Sequence, residues 1–84
     1  MIKLHYVYIV QCKDDTLYTG WTTDLNKRIA AHNAGAGAKY TRGRGPVKLV
    51  HSESFDSKSR ALQREREIKQ LTRAAKLQLI ASGK

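Results

Sequence analysis

The sequence predicts a small α+β domain whose elements run strand, strand, helix, strand, helix, helix. Three observations carry this. Two segments near the start are rich in Tyr, Val and Ile and are separated by a polar turn. Three later segments place apolar residues one helical turn apart behind a Thr, Asp or Ser that can cap a helix. Finally, 84 residues suffice for one modest core, so residues 1–84 are expected to form a single domain.

His5 to Gln11 is the first strand and Thr16 to Trp21 the second, with Lys13-Asp14-Asp15 turning the chain between them. So short a connection makes the pair an antiparallel hairpin. Side chains alternate along a strand, so Tyr6 and Tyr8 share one face while Val7 and Ile9 share the other; Tyr18 and Gly20 likewise lie together. Thr23 or Asp24 caps the first helix, in which Leu25 and Ile29 face inward until Asn33 and Gly35 end it. At about 100° per residue, Arg28 and His32 flank that apolar stripe. Either residue alone has an ordinary explanation, a solvated arginine or a hydrogen-bonded core histidine. Their joint position facing a tyrosine-bearing hairpin is the informative feature.

The run from Ala34 to Pro46 is a loop containing glycines, Lys39, Tyr40, Arg42 and Arg44. Glycines let backbone N–H groups approach a phosphate, Lys and Arg neutralise it, and a tyrosine ring can stack on a base. An ordinary surface loop has the same composition, and both readings stay open. Val47 to Ser52 is the third strand, with Phe55 behind it as a core residue. Ser57 caps a helix running to about Leu71, on which Ala61, Leu62, Ile68 and Lys69 bracket Glu65 on the inward stripe while Glu67 faces away. An ionised carboxylate on an apolar face costs roughly several kcal/mol unless paired or bound to a cation. Glu65 therefore has two readings of equal weight, a salt bridge to Arg28 or Lys69, and a metal ligand. Thr72 caps the last helix, whose expected packing stripe is Ala74, Leu77, Ile80 and Ala81, ending at Gly83.

Composition narrows the partners. Sixteen Lys and Arg against 7 Asp and Glu give a formal charge of +9, a field suited to a polyanion and above all to nucleic acid. A lone cysteine, Cys12, excludes an internal disulfide or a cysteine-built zinc site and fits a reducing compartment. No apolar run approaches the about 18 residues of a membrane helix, so a cytoplasmic protein with no membrane partner is expected.

These residues, in this order, resemble the small single-domain members of the GIY-YIG nuclease superfamily, of the UPF0213 type, and look like the catalytic domains of structure-selective and DNA repair endonucleases. The first triplet stands as Tyr6-Val7-Tyr8 and the second as Tyr18-Thr19-Gly20. Thr22-Thr23-Asp24-Leu25 leads to Arg28 and His32, followed by Gly37 to Arg42, Pro46-Val47 and Leu49-Val50. Ala61, Glu65, Ile68-Lys69 and Leu71 complete the pattern. Tyr6 replaces the first glycine of the name-giving motif and Thr19 its second isoleucine.

The resemblance implies a three-stranded antiparallel sheet flanked by helices and a hydrolase of phosphodiester bonds using one divalent cation, Mg²⁺ or Mn²⁺. It implies that Tyr8 and Tyr18 are active-site tyrosines, Arg28 the phosphate contact, His32 their neighbour and Glu65 the metal ligand. Such chemistry suits these groups: Mg²⁺ accepts a single carboxylate completed by water and phosphate oxygens, and a tyrosine becomes a base if nearby Arg28 or the metal favours phenolate. Gly20 would admit close approach at the backbone. Expected substrates are DNA before RNA, structured or single-stranded, with a protein partner or a dimer supplying specificity. The alternative is a non-catalytic nucleic-acid-binding module of the same fold, and a third reading is an adaptor for an acidic protein.

Overall fold

The computed structural model describes residues 3–35, 43 and 45–83. Lys39, Tyr40, Arg42 and Arg44, the expected nucleic-acid contacts, lie outside the described residues. The elements are β1 (His5–Gln11), β2 (Leu17–Thr22), α1 (Leu25–Asn33), β3 (Lys48–Phe55), α2 (Lys58–Lys69) and α3 (Arg73–Ser82).

The hairpin forms because its turn satisfies itself. The Asp15 N–H donates to Cys12 O at 2.9 Å, and the Cys12 N–H to Thr16 O at 2.8 Å. Asp14 Oδ1 accepts the Thr16 hydroxyl at 2.6 Å. Asp15 takes φ 67°, a left-handed conformation that a short polar side chain tolerates.

β1 lies in the middle of the three-stranded sheet, in the order β2-β1-β3, and pairs antiparallel with both neighbours. Being central, it is covered on both faces: Val7, Tyr8, Ile9 and Val10 are all fully buried. Alternation splits them into two cores. Val7 and Ile9 pack with Ala61 and Ile68 of α2, together with Trp21, Phe55, Leu79 and Ile80. Tyr8 and Val10 pack with Cys12 and Val47, together with Tyr18 and with Leu25 and Ile29 of α1. The tyrosine face thus belongs to α1 and the valine–isoleucine face to α2 and α3.

Each helix begins as its capping residue dictates. Asp24, rather than Thr23, starts α1 by accepting the Lys27 N–H at 3.1 Å. Ser57 accepts the Arg60 N–H at 3.4 Å and Thr72 the Ala75 N–H at 3.1 Å. The far end of α1 is tied to the approach to β3 by Asn33 Oδ1, which accepts the Val47 N–H at 2.6 Å.

Two expectations are corrected. β3 runs on to Phe55 instead of stopping at Ser52, because its inward positions carry charge that hides the apolar alternation. Arg64 of α2 donates to both oxygens of Glu53, at 2.9 and 3.1 Å, and His51 Nε2 donates to the same carboxylate at 2.8 Å. On α3 the inward residues are Leu79 and Ile80, whereas Leu77 is 43% exposed and Ala74 and Ala81 face out. Small apolar residues all round this helix left its orientation to be set by tertiary packing. Among the described residues, no helix is long and apolar enough to cross a membrane.

Candidate active site

The site is built around the Tyr8 phenol. Gly20 is the direct cross-strand partner of Tyr8, and the phenol lies down over it: a Cβ at position 20 would stand 2.5 Å from the Tyr8 hydroxyl and 2.7 Å from Cζ. The close approach at Gly20 is therefore made by a tyrosine ring, which occupies the space any larger residue needs.

Tyr18, two residues earlier on β2, brings its ring centroid to 6.4 Å from that of Tyr8. His32 arrives from α1 and meets both rings edge-on, at 5.8 Å from Tyr8 and 5.4 Å from Tyr18. It is only 1% exposed. Arg28, one turn earlier on α1, completes the group by donating from Nε to the Tyr8 hydroxyl at 3.3 Å. The Tyr8 hydroxyl also lies 2.8 Å from His32 Nε2.

Arginine only donates, so the Tyr8 oxygen accepts from Arg28. The bond to His32 Nε2 runs from the phenol when the neutral imidazole carries its hydrogen on Nδ1. Burial pushes the His32 pKa below its ordinary 6.5, and the neighbouring Arg28 charge adds to the effect. Burial likewise raises Tyr8 above its ordinary 10.0, and the Glu65 and Tyr18 charges push the same way, outweighing Arg28. Arg28 favours the phenolate as expected, but loss of water around the ring costs the anion more than one guanidinium returns. Arg28 itself is held more firmly protonated by its bond to Tyr8.

Glu65 comes from α2, the helix whose Ala61 and Ile68 cover the other face of β1. Its side chain is 17% exposed, and its Oε2 lies 3.4 Å from Lys69 Nζ; Lys69 is half-exposed and outside the inward stripe. Of the two salt-bridge partners expected, Lys69 is the one observed. Among the described residues no three His, Cys, Asp or Glu side chains cluster as a metal cage. One shielded carboxylate within electrostatic reach of Tyr8 fits Mg²⁺, which takes one or two protein carboxylates and keeps water and phosphate oxygens as its other ligands.

The structure thus gathers Tyr8, Tyr18, Gly20, Arg28 and His32 into one cluster and keeps Glu65 in its field. Beside Arg28 it also opens a cavity lined by Lys3 and Lys27. Nothing in the sequence distinguishes those two lysines from other surface lysines.

The domain is thus a three-stranded antiparallel sheet carrying a tyrosine pair, with an arginine and histidine on the next helix and a carboxylate on a later one. The sequence pattern of the GIY-YIG catalytic domain matches residues 4–78, and the chain belongs to the GIY-YIG family, a nuclease superfamily whose members are generally divalent-metal endonucleases acting on nucleic acid. It is 65% identical to a UPF0213 protein of Natronomonas pharaonis over 77 residues, covering 92% of this chain and 91% of that one. A UPF0213 protein of Clostridium perfringens is 66% identical over 79 residues, covering 94% of this chain and 85% of the other. Among solved structures, the solution NMR structure of a UPF0213 protein from Bacillus halodurans matches with a TM-score of 0.61 at 54% identity, over 93% of this chain and 83% of that one.

Proposed function

We propose that this protein is an endonuclease that hydrolyses phosphodiester bonds in structured or single-stranded DNA with one Mg²⁺ or Mn²⁺ held by Glu65. The observation that carries this reading is the buried Arg28–Tyr8–His32 hydrogen-bond chain laid over Gly20. A purely structural tyrosine needs one partner for its hydroxyl. Here the hydroxyl receives a hydrogen bond from a cation and shares another with an imidazole nitrogen, which is the arrangement a proton relay needs.

Hydrolysis requires removal of a proton from water and relief of charge at the phosphate. In the proposed mechanism Tyr8 Oη takes the proton from the attacking water while its own proton passes to His32 Nε2. His32 is suited to receive it because burial keeps it neutral. Transient phenolate character at Tyr8 is stabilised by the Arg28 Nε–H, and the remaining N–H groups of Arg28 serve the scissile phosphate. Tyr18, packed on both Tyr8 and His32, holds the rings in place and presents its hydroxyl to water or phosphate. When bound at Glu65, the cation supplies Lewis-acid stabilisation of the phosphate and of the leaving alkoxide. Lys69, half-exposed on a long flexible stem, can leave the carboxylate as the cation enters.

The second reading, a nucleic-acid-binding module without turnover, is favoured by one observation: Glu65 already has a cation in Lys69. A cleavage panel separates the two. Purified protein is incubated with single-stranded, duplex and branched DNA and with RNA, with Mg²⁺ or with chelator, beside Glu65→Ala. Metal-dependent product that disappears in Glu65→Ala supports the nuclease. Salt-sensitive binding with no product on any substrate sinks it. The panel also tests the proposed order of DNA before RNA, and whether a second copy or a partner is needed for cutting.

A further inference from the structure

Two cavities beside the Tyr8 cluster share Thr23 and Asp24 in their walls and so form one groove. The first, about 440 Å³, is lined by Lys3, Lys27 and Arg28 with Thr22. The second, about 290 Å³, is bounded by Tyr6 and Asn26. The groove runs from the arginine that touches Tyr8 to the aromatic ring two residues before Tyr8 on the same face of β1.

Its cations outnumber its acid. Among the described residues, Lys3, Lys27 and Arg28 have no ion pair, a state shared with several other surface cations, but these three line one cavity. The acid in the groove wall, Asp24, is engaged with the Lys27 N–H as the cap of α1. At the other end, Tyr6 is half-buried opposite Thr22 and makes no ring contact or side-chain hydrogen bond among the described residues. Three cations followed by an unstacked ring and an amide are the groups that receive a phosphate and then its base.

We propose that this groove is a nucleotide subsite next to the scissile position: Lys3 and Lys27 hold the phosphate adjacent to the one taken by Arg28, and Tyr6 stacks the base joined to it. Asn26 meets the edge of that base. The ligand is an unstacked nucleotide, since a base inside a duplex has no free face to offer. Either a single strand or the open end of a tailed duplex supplies one. The assignment deepens the nuclease reading and rests on it for the meaning of "adjacent".

The test is equilibrium binding, without turnover, of fluorescent single-stranded, blunt-duplex and tailed-duplex oligonucleotides to the full chain carrying Glu65→Ala in chelator. Single-stranded and tailed probes are expected to bind more tightly than the blunt duplex. Adding Tyr6→Leu should weaken both about tenfold, and Tyr6→Phe, which keeps the ring, should restore them. Lys3→Gln with Lys27→Gln should lower the slope of log K against log salt by roughly 1. Blunt duplex bound as tightly as single strand, or variants with unchanged melting temperature and unchanged binding, would overturn the subsite. Because the readout is binding, the two proposals fail separately. Groove-dependent binding by a wild type that cuts nothing overturns the nuclease reading alone, and cleavage with inert groove variants overturns the groove alone.

Discussion

The Tyr8 hydroxyl and His32 Nε2 share a hydrogen bond of 2.8 Å in the interior of the protein, joining the central strand to the first helix. Tyr8→Phe keeps the ring that fills the space over Gly20 and deletes only the oxygen, so the fold should persist. Withdrawing a buried hydrogen-bond partner costs about 1–3 kcal/mol, which should appear as a lowered melting temperature. Cleavage should fall by about 10²-fold or more, the size expected when a proton-transfer group is lost. Single-turnover assays beside a thermal melt check both parts, and a wild-type rate would remove Tyr8 as the base.

Gly20→Ala tests the packing beneath that phenol. The added methyl carbon would lie 2.5 Å from the Tyr8 hydroxyl and 3.1 Å from a Tyr18 ring carbon, so at least one ring must move. Overpacking of this kind costs about 1–3 kcal/mol. Activity should fall further than stability predicts, because the displaced atom is the one bonded to Arg28 and His32. Denaturant unfolding together with cleavage rates measured well below the transition checks this, and equal activity would show that the phenol's position is unimportant.

The pH dependence has a definite sign. His32, facing Arg28, Tyr8 and Tyr18, has its pKa lowered from 6.5. A depressed folded-state value means that the stability it contributes is intact above about 6.5 and is lost as pH falls through the lower folded value. As the proposed proton acceptor it must also be neutral. The acid limb of the cleavage profile should therefore have its midpoint below 6.5, and activity should be retained at pH 6.5. Glu53 adds to acid unfolding at lower pH: burial raises its pKa, but the bonds from Arg64 and His51 outweigh this and hold it below 4.5. A rate profile with a midpoint above 6.5 would remove His32 from the relay.

Most of the architecture was legible because local signals agreed. Asp14 and Asp15 announce the hairpin, Ser57 and Thr72 announce their helices, and period-two alternation assigns Tyr8 and Val7 to opposite faces. Arg28 and His32 were legible too, since the spacing from Leu25 and Ile29 fixes where they point. The full length of β3 was not, because His51 and Glu53 are inward polar residues, and the Glu53 carboxylate is satisfied by His51 and by Arg64, distant in sequence. Nor was the burial of Tyr8, which raises its pKa against the pull of Arg28. The Lys3–Lys27 cavity depends on the tertiary approach of the chain start to α1, which no local pattern records.

The proposed cation would compete with Lys69 for Glu65, which makes metal dependence testable from both sides. Their ion pair is an i,i+4 contact of 3.4 Å between a carboxylate 17% exposed and an ammonium 52% exposed. Solvent screening limits such a pair to about 0.3–0.5 kcal/mol. A divalent cation with substrate phosphate can readily displace it. Lys69→Met should therefore leave the fold intact and lower the Mg²⁺ concentration for half-maximal cleavage by only about twofold. Glu65→Ala should abolish metal-dependent cleavage while DNA binding remains measurable. A metal titration of the two variants beside wild type decides the matter. If Lys69→Met instead raises the metal requirement, Lys69 acts with the phosphate rather than against the cation; full activity in Glu65→Ala would remove Glu65 as the ligand.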